Sequence, residues 1–564
     1  MPPPAGPAVR ARAESLRALA DERFDVLVVG GGIVGSGALL DATSRGMRAA
    51  LVEQADIASG TSGRSSRLIH GGLRYLEQFQ LGLVAEALDE RARLLRLAPH
   101  LVRLEPFLFP IYGLPFARQA FYGAGILLYD LLGARRDGGV ARHLGPGAAH
   151  DLAPPLRRAR LAGGIVYHDA VTDDARLTLA VLRTALADSA GAVAATRVRA
   201  EAPLLEAGRV IGATVRDLGT DALFEVRADR VIDATGVWSA RAEARFAPDP
   251  GSRPVVPSRG SHLVIRRERL DARTGLTLRV PGRVVFVIPW LDNWIVGTTD
   301  HLDERPLEGL SAPNEDIDEL LGTVNRTTTL ELSRDDVVGT YAGMRPLVGG
   351  SGDSTVRTSR EHRVSIDASG LVRIAGGKLT TYRVMARDVV DAALGRAEAR
   401  RRPSATAELP LTGAAVGDDL ARLAAGFATP TSGPPRGWTT LDDERADRLV
   451  ARHGAEARGV LDLGRTLGLL TPEARPTPLG AGGHLEAEVA WAVRNELATT
   501  LDDVLARRVR LAQVLPDRGA KIAPRAAAIM AAELGWDAGR QEDEVAAYLE
   551  TATREYGVPT FAEA

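Results

Sequence analysis

Cysteine is absent from this chain and lysine nearly so: of 70 basic residues only Lys378 and Lys521 are lysines. The first absence excludes disulfides, iron–sulfur clusters, thiolate zinc sites, cysteinyl cofactor linkages and any dithiol relay, so redox chemistry must come from a bound organic cofactor. The second absence has a converse. Where lysine persists against so strong a bias towards arginine, the site calls for a compact ammonium with a movable pKa, which a guanidinium cannot replace. Surplus charge is missing too, and a net charge of −2 supplies no global field for nucleic acid. No apolar run reaches the roughly 18 residues that span a bilayer, which argues against an integral membrane protein. The N-terminal lead, 1–22, is Pro-rich and then Ala/Arg-rich without a hydrophobic signal core, and it reads as a disordered start followed by a surface helix.

What is present is a chain of 564 residues with ordinary globular composition, long enough for two to four domains. Its most informative stretch is VLVVGGGIVGSGALLDATSRGMRAALVE at 26–53. A buried-type strand runs into Gly30, Gly32 and Gly35 with G-x-G-x-x-G spacing, then a helix, then a second strand ending on Glu53. The first glycine permits the tight turn, the second lets the backbone approach a pyrophosphate, and the third lets the helix pack on the sheet. The helix N-terminus offers free N–H groups and partial positive charge to the phosphates. Glu53 is placed to accept hydrogen bonds from both ribose hydroxyls, which argues against a 2′-phosphate and hence against NADP. Dinucleotide binding follows.

Beyond this unit lies a glycine- and hydroxyl-rich loop, ASGTSGRSSRLIHGGLRYLE (58–77), suited to contact phosphate or ring edges. The apolar, aromatic segment 106–133 is interrupted by Arg118 and Asp130, which makes it a poor core strand and a poor membrane span. α/β character returns over 161–245, where the strand of RVIDATGVWS turns sharply at Ala234-Thr235-Gly236. From about 254 to 300 alternation predicts an antiparallel sheet. A polar helix (313–326), the strand 340–348 and a second strand–Gly-Gly–helix junction beginning at Lys378 follow. The stretch 401–436 reads as a linker, and 437–564 has helical periodicity.

The strings VGGGIVGSGALLDATSRG, HGGLRYLE (70–77) and GGKLTTYRVMA (376–386) resemble the FAD-dependent glycerol-3-phosphate dehydrogenase family, and ELATTLDDVLARRVRLA (496–512) is similar to that family's helical C-terminal domain. Leu39, where the family usually has alanine, is a departure that concerns helix packing. The resemblance implies an α/β plus α+β architecture: a Rossmann-like FAD-binding domain of the glutathione-reductase/D-amino-acid-oxidase type, an antiparallel-sheet substrate domain and a helical C-terminal domain. The FAD-binding parts are then about 23–105, 161–245 and 340–400, with substrate parts at about 106–160 and 246–339.

The implied cofactor contacts fall into three groups. Gly30, Gly32, Ile33, Val34, Gly35 and Glu53 come from the first unit, and Thr61, Ser62, Ser65, His70, Gly71 and Gly72 from the hydroxyl-rich loop. Val198, Ala234, Thr235, Gly236, Trp238, Gly343, Gly376, Gly377, Lys378, Leu379 and Thr380 come from the later turns. No metal site is expected.

Oxidising a secondary alcohol beside a phosphate ester requires a hydride acceptor, a proton acceptor and cations for the dianion. The resemblance supplies FAD for the first. For the phosphate it points to Arg74, Tyr75, Arg345, Arg360 and Lys378, since charge-assisted bonds hold phosphate most strongly. His262, whose reference pKa of about 6.5 suits proton transfer, is the candidate base. Arg345 is an alternative partner for the developing alkoxide, and His70 is placed to orient the flavin. The implied reaction converts sn-glycerol 3-phosphate to dihydroxyacetone phosphate, with electrons passed to a membrane quinone. The implied location is the inner face of the cytoplasmic membrane, as a peripheral or monotopic protein and a possible homodimer. Segment 106–133 is a candidate docking surface. Three rivals stay open: an oxidase that reduces oxygen to peroxide, an FAD-dependent amine or amino-acid oxidase, and a flavoprotein without catalysis.

Overall fold

The computed structural model describes residues 11–72, 80–113, 141–188, 191–239, 255–280, 283–303, 305, 308–348, 362–415, 417–428, 441–470, 479 and 483–559. Two sheets organise it. In the first, the strands Val372–Gly376, Leu223–Asp233, Arg23–Val29, Ala49–Glu53 and Ala192–Thr196 run parallel in that order, with His362–Ile366 antiparallel on one edge. Val26, Leu27 and Val28 are wholly buried, as a parallel strand covered on both faces requires. The helices Ile33–Ser44, Asp174–Asp188 and Tyr382–Leu394 cover one face. The other face is closed by the helix Arg12–Asp21 and by the antiparallel strands Val198–Glu206 and Arg209–Asp217. The surface helix expected in the N-terminal lead is therefore present over Arg12–Asp21, with Leu19 buried.

The second sheet has ten strands and is almost wholly antiparallel. Its period-2 alternation divides two cores. Along Val255–Arg266, Leu263 and Ile265 face the helix Asn314–Thr327, whereas His262 and Val264 face the opposite side. That opposite side packs directly on the C-terminal helices Glu486–Asn495, Ala523–Leu534 and Ala538–Tyr556, which share one core with Phe107, Tyr167, Trp290 and Tyr341. The C-terminal region is thus an extension of the second sheet's core.

Several expectations need correction. The strands Leu161–Thr172 and Val337–Val348 fall within the parts expected to bind FAD and belong to the second sheet, from which Pro346 still reaches the first cavity. Segment 106–133 was expected to make a poor core strand. Yet the strand Val102–Tyr112 pairs along its length with Leu161–Thr172 and buries Phe107 and Phe109, so these two rings cannot dock on a membrane. Residues 114–133 of that segment lie outside the described residues. Within the stretch read as a linker, Gly417–Ala428 is a helix packed in the C-terminal core, and Ser404 and Thr412 are bonded to Asp41 and Thr184 of the first domain. Around Pro410 and Gly413 the backbone finds partners on both sides, the Leu411 N–H donating to the Leu97 carbonyl and the Gly413 carbonyl accepting from the Ala455 N–H, whereas 429–436 lie outside the described residues.

Candidate active site

Two cavities meet at the ends of the parallel strands. The first, about 420 Å³, is lined by Gly30, Gly32, Ile33, Val34, Glu53, Thr61, Ser62, Val198, Ala234, Thr235, Gly236, Trp238, Gly376, Gly377, Lys378 and Leu379. It is largely a backbone construction. Gly30 has φ +111°, and a Cβ there would stand 2.7 Å from the Ala234 carbonyl oxygen of the neighbouring strand end, so only glycine fits the turn. Glu53 closes its strand as expected, but its carboxylate is first engaged locally: it accepts the backbone N–H of Gly31 at 2.6 Å and of Ala55 at 2.7 Å. Two of its roughly four acceptor positions are then left for a ribose. Burial raises its pKa, against the two backbone donors that lower it. The indole N–H of Trp238 is buried in this wall and has no partner among the described residues.

The second cavity, about 260 Å³, shares Ile33, Thr61, Ser62, Pro346, Gly377, Lys378 and Leu379 with the first. It is built from side chains: Arg64, Ser65, Ser66, His70, His262, Arg283, Phe286, Asp300, Arg345 and Lys378, with Gly72, Gly343 and Thr380. At its floor three strands are in register at Tyr341, His262 and Gly297. The imidazole stacks on Tyr341 with ring centroids 4.5 Å apart and planes at 10°. Its other side lies over Gly297, where a Cβ would overlap the ring, so the glycine makes room for the histidine. His262 Nε2 is 2.8 Å from Ser66 Oγ, while Nδ1 is buried without a partner among the described residues. Burial, then the Arg345 and Arg67 guanidiniums, hold its pKa well below 6.5, so the imidazole is neutral at pH 7.

Arg345 is fixed by Asp300 at 3.2 Å and Thr298 Oγ1 at 3.0 Å, and Arg283 by the Thr298 carbonyl at 2.5 Å and by Glu319. Burial lowers the Arg283 pKa. Lys378 does not begin a helix: it is extended, one 3-10 turn precedes the α-helix at Tyr382, and the ammonium-bearing residue lines both cavities. Of the remaining expected residues, Gly35 packs against Gly30 and, like Gly71, lines neither cavity. Arg74, Tyr75 and Arg360 lie outside the described residues. Sequence reasoning missed Ser66, Arg64, Arg283 and Asp300. Ser66 alone carried a signal, as one more hydroxyl of the hydroxyl-rich loop.

The loop bearing these hydroxyls is braced by the C-terminal region. Arg510 pairs with Asp173 and Asp174 and donates to the Gly63 carbonyl, while Asp174 accepts both the N–H and the hydroxyl of Ser65 at 2.8 and 2.7 Å. Arg64 pairs with Glu555, and Arg67 bonds Gln513 and lies 3.9 Å from the centre of the Trp290 ring.

A glycine turn at a helix N-terminus, an acid at the next strand end and a buried donor without a partner among the described residues, all lining one cavity, fit FAD, whose isoalloxazine would reach the second cavity past Lys378. Fold and site define an FAD-dependent oxidoreductase. Residues 25–392 match the family model described as FAD dependent oxidoreductase, and 404–541 that described as the C-terminal domain of alpha-glycerophosphate oxidase. The chain is 44% identical over 546 residues to glycerol-3-phosphate dehydrogenase 2 of Mycobacterium bovis, covering 96% of this chain and 90% of that one. It is 36% identical to the mitochondrial glycerol-3-phosphate dehydrogenase of Bos taurus, covering 94% and 73%. The solved glycerol-3-phosphate dehydrogenase from Bacillus halodurans complexed with FAD superimposes with a TM-score of 0.77 at 27% identity, covering 98% of each chain. The chain belongs to the FAD-dependent glycerol-3-phosphate dehydrogenase family.

Proposed function

We propose that the protein oxidises sn-glycerol 3-phosphate to dihydroxyacetone phosphate. The observation that carries this reading is the second cavity, which a neutral imidazole lines together with four cations, Arg64, Arg283, Arg345 and Lys378. Cations of this kind hold a phosphate dianion by charge-assisted bonds. Bound FAD supplies the hydride acceptor. His262, neutral because it is buried between Tyr341 and Gly297, takes the hydroxyl proton as the carbonyl forms, and a protonated imidazole could not. Arg345, anchored by Asp300 and Thr298, presents a fixed positive charge to the oxygen as it loses that proton. Phe286, edge-on to His70 at 6.1 Å, gives the cavity an apolar side that excludes water.

Electrons then pass to a quinone at the inner face of the cytoplasmic membrane, a reading supported by the family. Among the described residues no helix is long and apolar enough to cross a membrane, consistent with peripheral attachment. The decisive experiment is the anaerobic visible spectrum before and after glycerol 3-phosphate. Bleaching of the flavin band is expected, and a band that stays oxidised would reject the substrate. Reoxidation by a soluble quinone much faster than by oxygen is expected, and the reverse would make the protein an oxidase.

A further inference from the structure

We propose that Ser66 is a catalytic residue, the group through which His262 receives the substrate proton; this rests on the reading of His262 as the base. The geometry leaves the imidazole one polar route. Its two faces are covered by Tyr341 and the Gly297 backbone, the residue is 2% exposed, and Nδ1 is buried with no partner among the described residues. Nε2 faces the hydroxyl of Ser66 at 2.8 Å, and Ser66 itself is half-buried and lines the second cavity.

Three neighbouring hydroxyls of the loop, those of Thr61, Ser62 and Ser65, have different tasks. Thr61 donates to the Met344 carbonyl at 2.6 Å, Ser62 accepts the N–H of Ile33 at 2.9 Å, and Ser65 donates to Asp174. Ser66 alone among them is bonded to a group that can take a proton at neutral pH. Its flanking residues are pinned, Ser65 by Asp174 and Arg67 by Gln513 and Trp290, so the Oγ–Nε2 contact is held by anchors on both sides.

In the relay, Ser66 Oγ–H donates to Nε2 of the Nδ1–H tautomer. When the substrate's O–H bond breaks, its proton passes to Ser66 Oγ and the proton of Ser66 passes to Nε2, which leaves serine unchanged and the imidazole cationic. The carbon's hydrogen departs with its electron pair to the flavin and the C=O bond forms, so charge and electrons balance.

The test compares Ser66→Ala, Ser66→Thr and His262→Asn in the flavin-loaded enzyme by stopped-flow flavin bleaching. A second readout is the ¹⁵N spectrum of the His262 ring without substrate. Ser66→Ala is expected to slow bleaching by about 10²-fold, within the range for a lost proton-transfer group, with the apparent Kd for glycerol 3-phosphate little changed. Ser66→Thr should recover most of that loss. The ring should be the Nδ1–H tautomer in the wild type and should lose that preference in Ser66→Ala. Fast Ser66→Ala beside slow His262→Asn overturns the relay and leaves the base reading standing. Fast His262→Asn overturns the base reading itself. An Nε2–H tautomer in the wild type, or a Ser66→Thr variant as slow as Ser66→Ala, also overturns the relay.

Discussion

The two cavities meet at Lys378 but are made by opposite means. The first is a set of backbone turns at strand ends, with glycines where side chains would intrude and one carboxylate that is itself tied to the backbone. The second draws side chains from six separate stretches, and the hydroxyl loop that supplies three of its serines is braced through Asp174 and by Arg510, which lies 447 positions from Gly63 in sequence. The difference separates holding a cofactor from using it. Cofactor binding is encoded in short local motifs, whereas the reacting groups depend on the whole molecule, the C-terminal region included.

The sharpest way to test that separation is to break each side alone. Gly30→Val places a branched side chain at φ +111° with its Cβ 2.7 Å from a carbonyl oxygen, adding strain of about 1–3 kcal/mol to a direct clash. The variant is expected to purify without flavin absorbance, and a stoichiometric yellow protein would contradict the account of the first cavity. Asp174→Asn acts on the other side. It removes a wholly buried carboxylate that faces Arg510 and fixes Ser65, a loss of about 3 kcal/mol when one partner of a buried pair goes. Thermal melting should show a lower midpoint and stopped-flow a slower bleaching, with flavin content retained. If flavin were lost in proportion to the rate, the two cavities would not be separable.

Legibility from sequence follows the same division. The strand–glycine–helix–strand–acid unit was readable because its parts lie within 28 residues and each glycine has a local steric reason. His262 emerged from a family resemblance and not from its own pattern. What identifies it physically is a register across three strands, Tyr341, His262 and Gly297, which no local window contains. The segment 106–133 misled because Arg118 and Asp130 interrupt its apolar run, while its first residues form a strand whose partner begins with Leu161, opposite Tyr112, far along the chain. The tertiary bonds within the stretch read as a linker were hidden for a related reason. Composition measures local chain preference, and the bonds of Ser404 and Thr412 are tertiary.

Acid should loosen the contact between the C-terminal region and the helix Asp174–Asp188 before it empties the first cavity. That contact buries His453 against Glu488 and Arg176, and His484, held down to about 4 by burial, lies beside Glu488. A histidine whose folded pKa lies below its unfolded value binds fewer protons folded than unfolded. Its contribution is therefore complete above about 6.5 and is lost as pH falls through that value towards about 4, at most roughly 3 kcal/mol for His484. Glu488, whose pKa is also depressed in the fold, adds a loss in the same direction at lower pH. The thermal midpoint should drop between pH 7 and pH 5, and His484→Gln should flatten that dependence. Equal slopes for variant and wild type would remove the histidine from the explanation.

The smallest effect falls where the cavities join. Lys378→Arg keeps the charge in a chain whose other cations are, with Lys521, all but uniformly arginine, so any cost must come from shape. An ammonium on a four-carbon stem can serve both cavities from the extended residue after Gly376-Gly377, whereas a planar fork needs a fixed approach and more room beside Leu379 and Pro346. The variant should bind flavin normally and raise KM for glycerol 3-phosphate by about tenfold, equivalent to about 1.4 kcal/mol. A Lys378→Met variant should lose more than Lys378→Arg in the same assay. If arginine were as good as lysine, the retained lysine would be an accident of composition and the junction would need only a positive charge.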